Sequence, residues 1–137
     1  MSLIRFGVSI PVTLIKKFDL LIRRKNYSNR SEAIRDLIRK ELVEEEIEEN
    51  GDAVGVLHIL YNHHRRELSE KLTDIQHKHH NLILSAMHIH LDHDNCIEVI
   101  VMQGESQKLK SLADLLIAAK GVKHGKLNLT STGKYLV

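Results

Sequence analysis

No stretch of this 137-residue chain approaches the roughly 18 consecutive apolar residues that a bilayer-spanning helix needs. The start, Met1-Ser2-Leu3-Ile4-Arg5, has neither the long apolar stretch nor the small-residue cleavage site of a secretory signal. A cytoplasmic protein is therefore expected. A single cysteine, Cys96, excludes an internal disulfide and leaves either a small buried apolar residue or a functional thiol. The net charge of +2 is too small to indicate a partner by itself. What is present, 42% hydrophobic and 28% charged residues, is ordinary globular composition, enough for one average domain or two small ones.

The charges are unevenly placed. Residues 1–40 hold ten Lys or Arg and three acids, whereas residues 41–50 hold six Glu and neither Lys nor Arg. A basic module that ends at an acidic stretch suggests a nucleic-acid contact surface. All ten histidines lie beyond this boundary, between His58 and His124. Two modules of different chemistry are implied, residues 1–50 and 51–137, with Asn50-Gly51-Asp52 as the breaker between them.

Periodicity supplies the elements. Ile4, Phe6, Val8 and Ile10 alternate with Leu3, Arg5, Gly7 and Ser9, which predicts a strand with one buried face, ended by Pro11. Leu14, Ile15, Phe18, Leu21 and Ile22 give a helix over about 12–25. Asn29, with Glu32 three residues on, marks the N-cap of a second helix whose stripe is Ala33, Ile34, Leu37, Ile38 and Leu42. About 50 residues with a lone strand cannot bury a stable core, so two copies pairing their strands into an antiparallel ribbon are expected. Downstream, strands over 53–61, 82–91, 96–103 and 122–130 and helices over 65–80 and 106–120 give β-α-β-β-α-β. This is the ferredoxin-like arrangement, and the fold class is α+β.

Three groups of residues could carry chemistry. Arg5-x-Gly7-x-Ser9 lies on the outward face of the first strand, and a two-stranded ribbon fits the DNA major groove. Arg suits bidentate contact with guanine, Ser bonds to several bases, and Gly7 offers close backbone approach without a side chain. Lys16, Lys17 and Arg30 are candidate phosphate contacts, and the helix start near Ser28, Asn29 and Ser31 is a candidate phosphate clamp.

The second group is His88-x-His90-x5-Cys96. Alternate residues on a strand share a face about 6–7 Å apart, and a short hairpin turn brings Cys96 opposite them. Two imidazoles and a thiolate form a metal-ligand set open to zinc, copper, nickel or cobalt. The run His77-Lys78-His79-His80 ends the preceding helix and could supply a fourth ligand from the same or a neighbouring chain, although a helix C-terminus favours histidine electrostatically. The third group is Glu32 and Asp36, one helical turn apart, where two like charges repel mildly unless a cation or nearby arginines intervene.

Together these residues resemble the nickel-responsive transcription regulator family (NikR). The resemblance rests on Arg5-Phe6-Gly7-Val8-Ser9-Ile10, the stretch Tyr27 to Asp36, Gln76-His77, His88-Ile89-His90 and Cys96-Ile97-Glu98. It implies a ribbon-helix-helix DNA-binding domain joined to an ACT-type ferredoxin-like metal-binding domain. It further implies a homotetramer with square-planar Ni(II), one per subunit, held by His88, His90 and Cys96 and by His77 of the partner subunit. It implies a second cation held by Glu32 and Asp36 when DNA is bound. Two positions depart from the family pattern: Gly7 stands where a hydroxyl residue is usual, and Lys78 interrupts the histidine run.

A nickel-responsive repressor that binds a double-stranded operator is thus expected. The alternative is a ribbon-helix-helix repressor whose ferredoxin-like domain senses a small molecule, with structural zinc. A metallohydrolase is disfavoured because no general base accompanies the three ligands. Glu98 shares a strand face with Cys96 and is more simply a partner for a ligating histidine.

Overall fold

The computed structural model describes residues 2–137 and divides into two compact units, one up to Lys40 and one from Glu41 onward. In the first, residues 2–10 form neither helix nor ladder. The strand expected at 3–10 is therefore not formed within one chain, because a ladder needs a second strand to pair with. Leu3, Ile4, Phe6 and Val8 are exposed, Phe6 to 73%.

Helix α1 (Val12–Arg24) starts after Pro11, whose carbonyl accepts from Leu14 and Ile15. It ends in a Schellman turn: Asn26 takes a left-handed φ of 64°, its N–H reaches Arg23 O, and Tyr27 N–H reaches Ile22 O. Helix α2 (Arg30–Glu48) is capped by Asn29, whose Oδ1 accepts from Glu32 N at 3.0 Å, and it continues through the Glu-rich stretch. Arg30 clasps Asp19 through two hydrogen bonds of 2.8 and 2.9 Å, and Asp36 accepts from Tyr27 Oη and Arg39. Apolar burial is slight in this unit. Among its described residues only Ile22 and Ala33 are buried, while Ile34, Leu37 and Ile38 stay exposed.

The expected breaker at Asn50-Gly51 is a second Schellman turn rather than a loose linker. Asn50 has φ 59°, its N–H bonds Ile47 O, and Gly51 N–H bonds Glu46 O. The Asn50 side chain then caps another helix, its Oδ1 accepting from Gln107 N at 2.9 Å, and buried Ser106 donates Oγ–H to Ile47 O at 2.7 Å. Residues 41–50 are thereby tied to the second compact unit, which accordingly starts at Glu41.

That unit contains β1 (Asp52–Asn62), α3 (Arg66–Lys78), β2 (Ile83–His90), β3 (Asn95–Glu105), α4 (Ser106–Ile117) and β4 (Val122–Ser131). The strands form one antiparallel sheet in the order β2-β3-β1-β4, the ferredoxin-like topology expected. Both helices cover one face. Ala53, Leu57, Ile59 and Tyr61 of β1 and Cys96, Ile100 and Met102 of β3 bury there against Leu68, Leu72, Leu109, Leu112 and Leu116. Gly125 allows the close approach, since a Cβ would lie 2.6 Å from Ile117 Cγ1. The other sheet face, with Val54, Val56, Leu60, Ile97, Val99 and Val101, is only partly covered.

Acid should loosen the first unit. Arg30 holds the Asp19 carboxyl below its ordinary range, and Tyr27 and then Arg39 do the same for Asp36. A carboxylate depressed in the folded state contributes stability above its ordinary pKa and loses it as pH falls through the folded value. Helical circular dichroism during heating should therefore show earlier unfolding at pH 3 than at pH 7, with the difference reduced in Asp19→Asn. An equal pH dependence in that variant would dismiss this ion pair as the cause.

Candidate metal centre and nucleic-acid interface

The β2–β3 hairpin turns at Asp92, whose Oδ1 accepts from Asp94 N (2.9 Å) and Asn95 N (2.8 Å), fixing the turn. The register sets His90 opposite Cys96 and His88 opposite Glu98, and β1 sets Tyr61 opposite Cys96 on the other side. Directly opposed residues share a sheet face. His88, His90 and Cys96 therefore stand on the face covered by the helices, with β2 at the sheet edge where the histidines remain exposed.

A bulge decides this. Ile83 pairs with inward Met102, but the next pair is Ser85 with outward Val101, leaving Leu84 as the extra residue. Without the bulge, with Leu84 kept in the ladder, strict alternation from Ile83 would send Met87 and Ile89 inward and both histidines outward. With it, Ala86, His88 and His90 take the face of Cys96, which is how bulges beside functional sites re-aim side chains.

Glu98 is 1% exposed and forms the floor of the site. Its oxygens accept from Tyr61 Oη and Gln76 Nε2, each at 2.8 Å, and its Oε2 lies 3.4 Å from His88 Nε2. Burial and then the Glu98 charge push the Tyr61 hydroxyl far above its ordinary range. Burial likewise raises the Cys96 thiol, with Tyr61 opposing. The expected pairing of Glu98 with a candidate histidine ligand is thus observed, while the links through Tyr61 and Gln76 went unread in the sequence.

The donor chemistry fits a borderline or soft transition metal: two imidazoles, a buried thiol, and a carboxylate beside one imidazole. His77 stands exposed in the last turn of α3, in a surface groove shared with Ser69, Thr73 and Asp74. Among the described residues no hydrogen bond or ring contact joins it to the other three. His79 and His80 instead bond the carbonyls of Ile75 and His77 through Nδ1, at 2.8 and 3.1 Å, which is the helix-ending role open to them.

On the first unit Arg5, Gly7 and Ser9 are exposed, and a Cβ at Gly7 would meet nothing within 4 Å. Ser28 and Asn29 sit at the α2 start, where Asn29 serves as cap, and the Arg30 guanidinium is engaged by Asp19. Of the Glu32 and Asp36 pair, Asp36 is held by Tyr27 and Arg39.

A basic two-helix unit and, in the same chain, a ferredoxin-like unit with a candidate N,N,S donor set together define a two-module class of protein. Residues 54–130 match the family profile described as the NikR C terminal nickel binding domain, and residues 4–45 match ribbon-helix-helix protein, copG family. A relative from Geotalea uraniireducens, described as "Putative nickel-responsive regulator", is 56% identical and covers 97% of this chain and 96% of its own. One of the same description from Desulfovibrio desulfuricans is 53% identical, covering 98% of each. Among solved structures, an uncharacterized Thermotoga maritima protein shares the fold at a TM-score of 0.51 and 16% identity, covering 57% of this chain and 96% of its own. The chain belongs to the nickel-responsive regulator family, NikR, whose members are ribbon-helix-helix transcription regulators and not enzymes.

The facing is testable. Exchanging neighbours on β2, Met87→His with His88→Met and Ile89→His with His90→Ile, should move both imidazoles to the face opposite Cys96. Added Co(II) should then lose at least about tenfold in affinity, the upper loss expected when ligands go missing being larger still. Titration of the cobalt–thiolate absorption, with circular dichroism confirming the fold, measures it. Unchanged affinity in the folded exchange variant would show that the strand register does not place the ligands.

Proposed function

We propose that the chain is a nickel-responsive repressor that binds its operator when loaded with Ni(II). The observation that carries this reading is the register pair His90–Cys96, with His88 two residues away on the same face. His88, His90 and Cys96 hold one ion per subunit, and His77 of the partner subunit completes the set. The exposure of His77 at the end of α3 supports a ligand role between subunits. Nickel would supply a Lewis acid there, and the Cys96 thiolate with the imidazoles of His77, His88 and His90 would hold it. Glu98, whose Oε2 lies 3.4 Å from His88 Nε2, orients that ring.

Assembly follows from exposed apolar surface. The side chains of Leu3, Ile4, Phe6 and Val8, together with Ile34, Leu37 and Ile38, are covered if two copies pair their first segments into a ribbon. The half-covered sheet face offers a second contact, and the two together give a homotetramer built as a dimer of dimers. The functional modules are residues 1–50, which end at the Asn50 turn, and residues 51–137. In the ribbon, Arg5 and Ser9 read base edges and Gly7 admits close backbone approach. Ser28 and Asn29 present the α2 N-terminus to a phosphate, with Arg30 beside them adding charge while it holds Asp19. Glu32 and Asp36 bind a second cation in the DNA-bound state, for which Arg39 must release Asp36. Such a regulator works in the cytoplasm.

Fluorescence anisotropy on a labelled duplex, selected from a random pool in the presence of nickel, tests the switch. Affinity with nickel should exceed that with chelator by at least about tenfold, within the usual range of allosteric coupling. Cys96→Ala should abolish the difference while leaving the oligomer intact. Equal affinity under both conditions would end the switching claim.

A further inference from the structure

The sheet face turned away from the helices is apolar at its centre except for one histidine. The registers set Met87, Val99, His58 and Lys126 in a single row across β2-β3-β1-β4. Val56 and Leu60 flank His58 along β1, and Ile97 and Val101 flank Val99 along β3. This surface is open in the single chain: Met87 is 55% exposed and His58 only half-buried. An apolar patch of this kind marks a contact surface.

The charges around His58 are of one sign. On β4, Lys126 lies opposite it and His124 diagonal to it, the two imidazole rings 6.1 Å apart between centroids. β3 sets only Val99, Ile97 and Val101 beside it. The carboxylates at outward positions of the four strands are Asp52 and Glu105, which pair with each other at the far end, roughly 20 Å along β1. Within the chain, then, no anion compensates a proton on His58. Lys126 stands on an edge strand, where its stem can carry the ammonium out to water if the face is covered. His58 stands one strand further in and has no such stem.

The size of the face makes that single group matter. It measures about 20 Å across the strands and about 25 Å along them, on the order of 1,000 Å² summed over two copies. That lies at the lower limit for a specific contact. A two-fold contact also carries His58 twice, so each proton effect is doubled.

We propose that this face is a proton-sensitive contact between two copies of the chain, closed while His58 is neutral and opened when it gains a proton. The second copy as occupant rests on the dimer-of-dimers reading above. Covering His58 removes water from its charged form and so disfavours that form. A histidine that binds its proton more weakly in the assembly stabilises the assembly at higher pH. That stability is lost as pH falls through the ordinary histidine range, about pH 5 to 8. The assembly would thereby answer to acidity independently of metal.

Sedimentation equilibrium of the full chain at about pH 7.5 and about pH 5.5, on either side of ordinary histidine titration, tests the switch. Chelator in both samples keeps metal release out of the result. Wild type should be a tetramer at the higher pH, with its dissociation into dimers favoured at least about tenfold at the lower. His58→Gln, neutral at both, should stay tetrameric at both. Val99→Lys, a fixed charge in the same row, should give dimers at both, with circular dichroism confirming the fold. A wild-type tetramer equally stable or more stable in acid would overturn the switch, as would full acid dissociation in His58→Gln. Either result beside a dimeric Val99→Lys leaves the sheet-face contact standing. A tetramer retained by folded Val99→Lys would instead overturn the covered face, and the switch with it.

Discussion

The one-residue register correction at Leu84 is the constraint on which the metal chemistry depends. Side chains on a strand alternate with a period of two, so a shift of one residue exchanges its faces. On β3 the alternation is pinned by burial: Cys96, Ile100 and Met102 join the core, and Glu98 lies between them. On the edge strand β2 no such burial fixes the choice, and the bulge fixes it instead. The His88–Glu98 contact and the stack of His63 on His90 lie on the face that this register gives the two histidines.

The polar groups around the site are stabilised by mutual satisfaction rather than by solvent. A buried carboxylate is tolerated because it is hydrogen-bonded, and Glu98 has donors from β1 and α3 at 2.8 Å each. The same bonds join three elements distant in sequence, so they hold the imidazole of His88 over a floor that is itself held in place. The first unit has the opposite character. Its order comes from caps and ion pairs, Asn29, Asn26 and Arg30–Asp19, with little apolar burial, and many of its apolar side chains stay exposed.

Much of this was legible in the sequence because it is local. Strand and helix periods, the Asn29 cap and the polar turn at Asp92–Asn95 follow from residues within a few positions of one another, and so the βαββαβ order could be read directly. The spacing of His88, His90 and Cys96 brought out the donors for the same reason. What escaped was long-range. Tyr61 and Gln76 meet Glu98 across 37 and 22 residues of sequence, and no local pattern announces such a meeting. Arg30 is a candidate phosphate contact by its charge, and its ion pair with Asp19, one helix earlier, is not announced by any local pattern. The alternation at 3–10 predicts a strand, but within the single chain nothing pairs with it and none forms. Asn50-Gly51 looked like a flexible break because left-handed residues end helices and open loops alike; only the tertiary bond from Asn50 to the α4 amide distinguishes the two.

In the proposed centre the bulged register brings two histidines and the lone cysteine to one metal ion. X-ray absorption at the nickel edge, on protein loaded with one equivalent, is the decisive measurement. One sulfur scatterer together with imidazole nitrogens is predicted, the sulfur lost in Cys96→Ala and the imidazole signal reduced in His90→Ala. A nickel ion surrounded by nitrogen and oxygen alone, unaltered by Cys96→Ala, would contradict it.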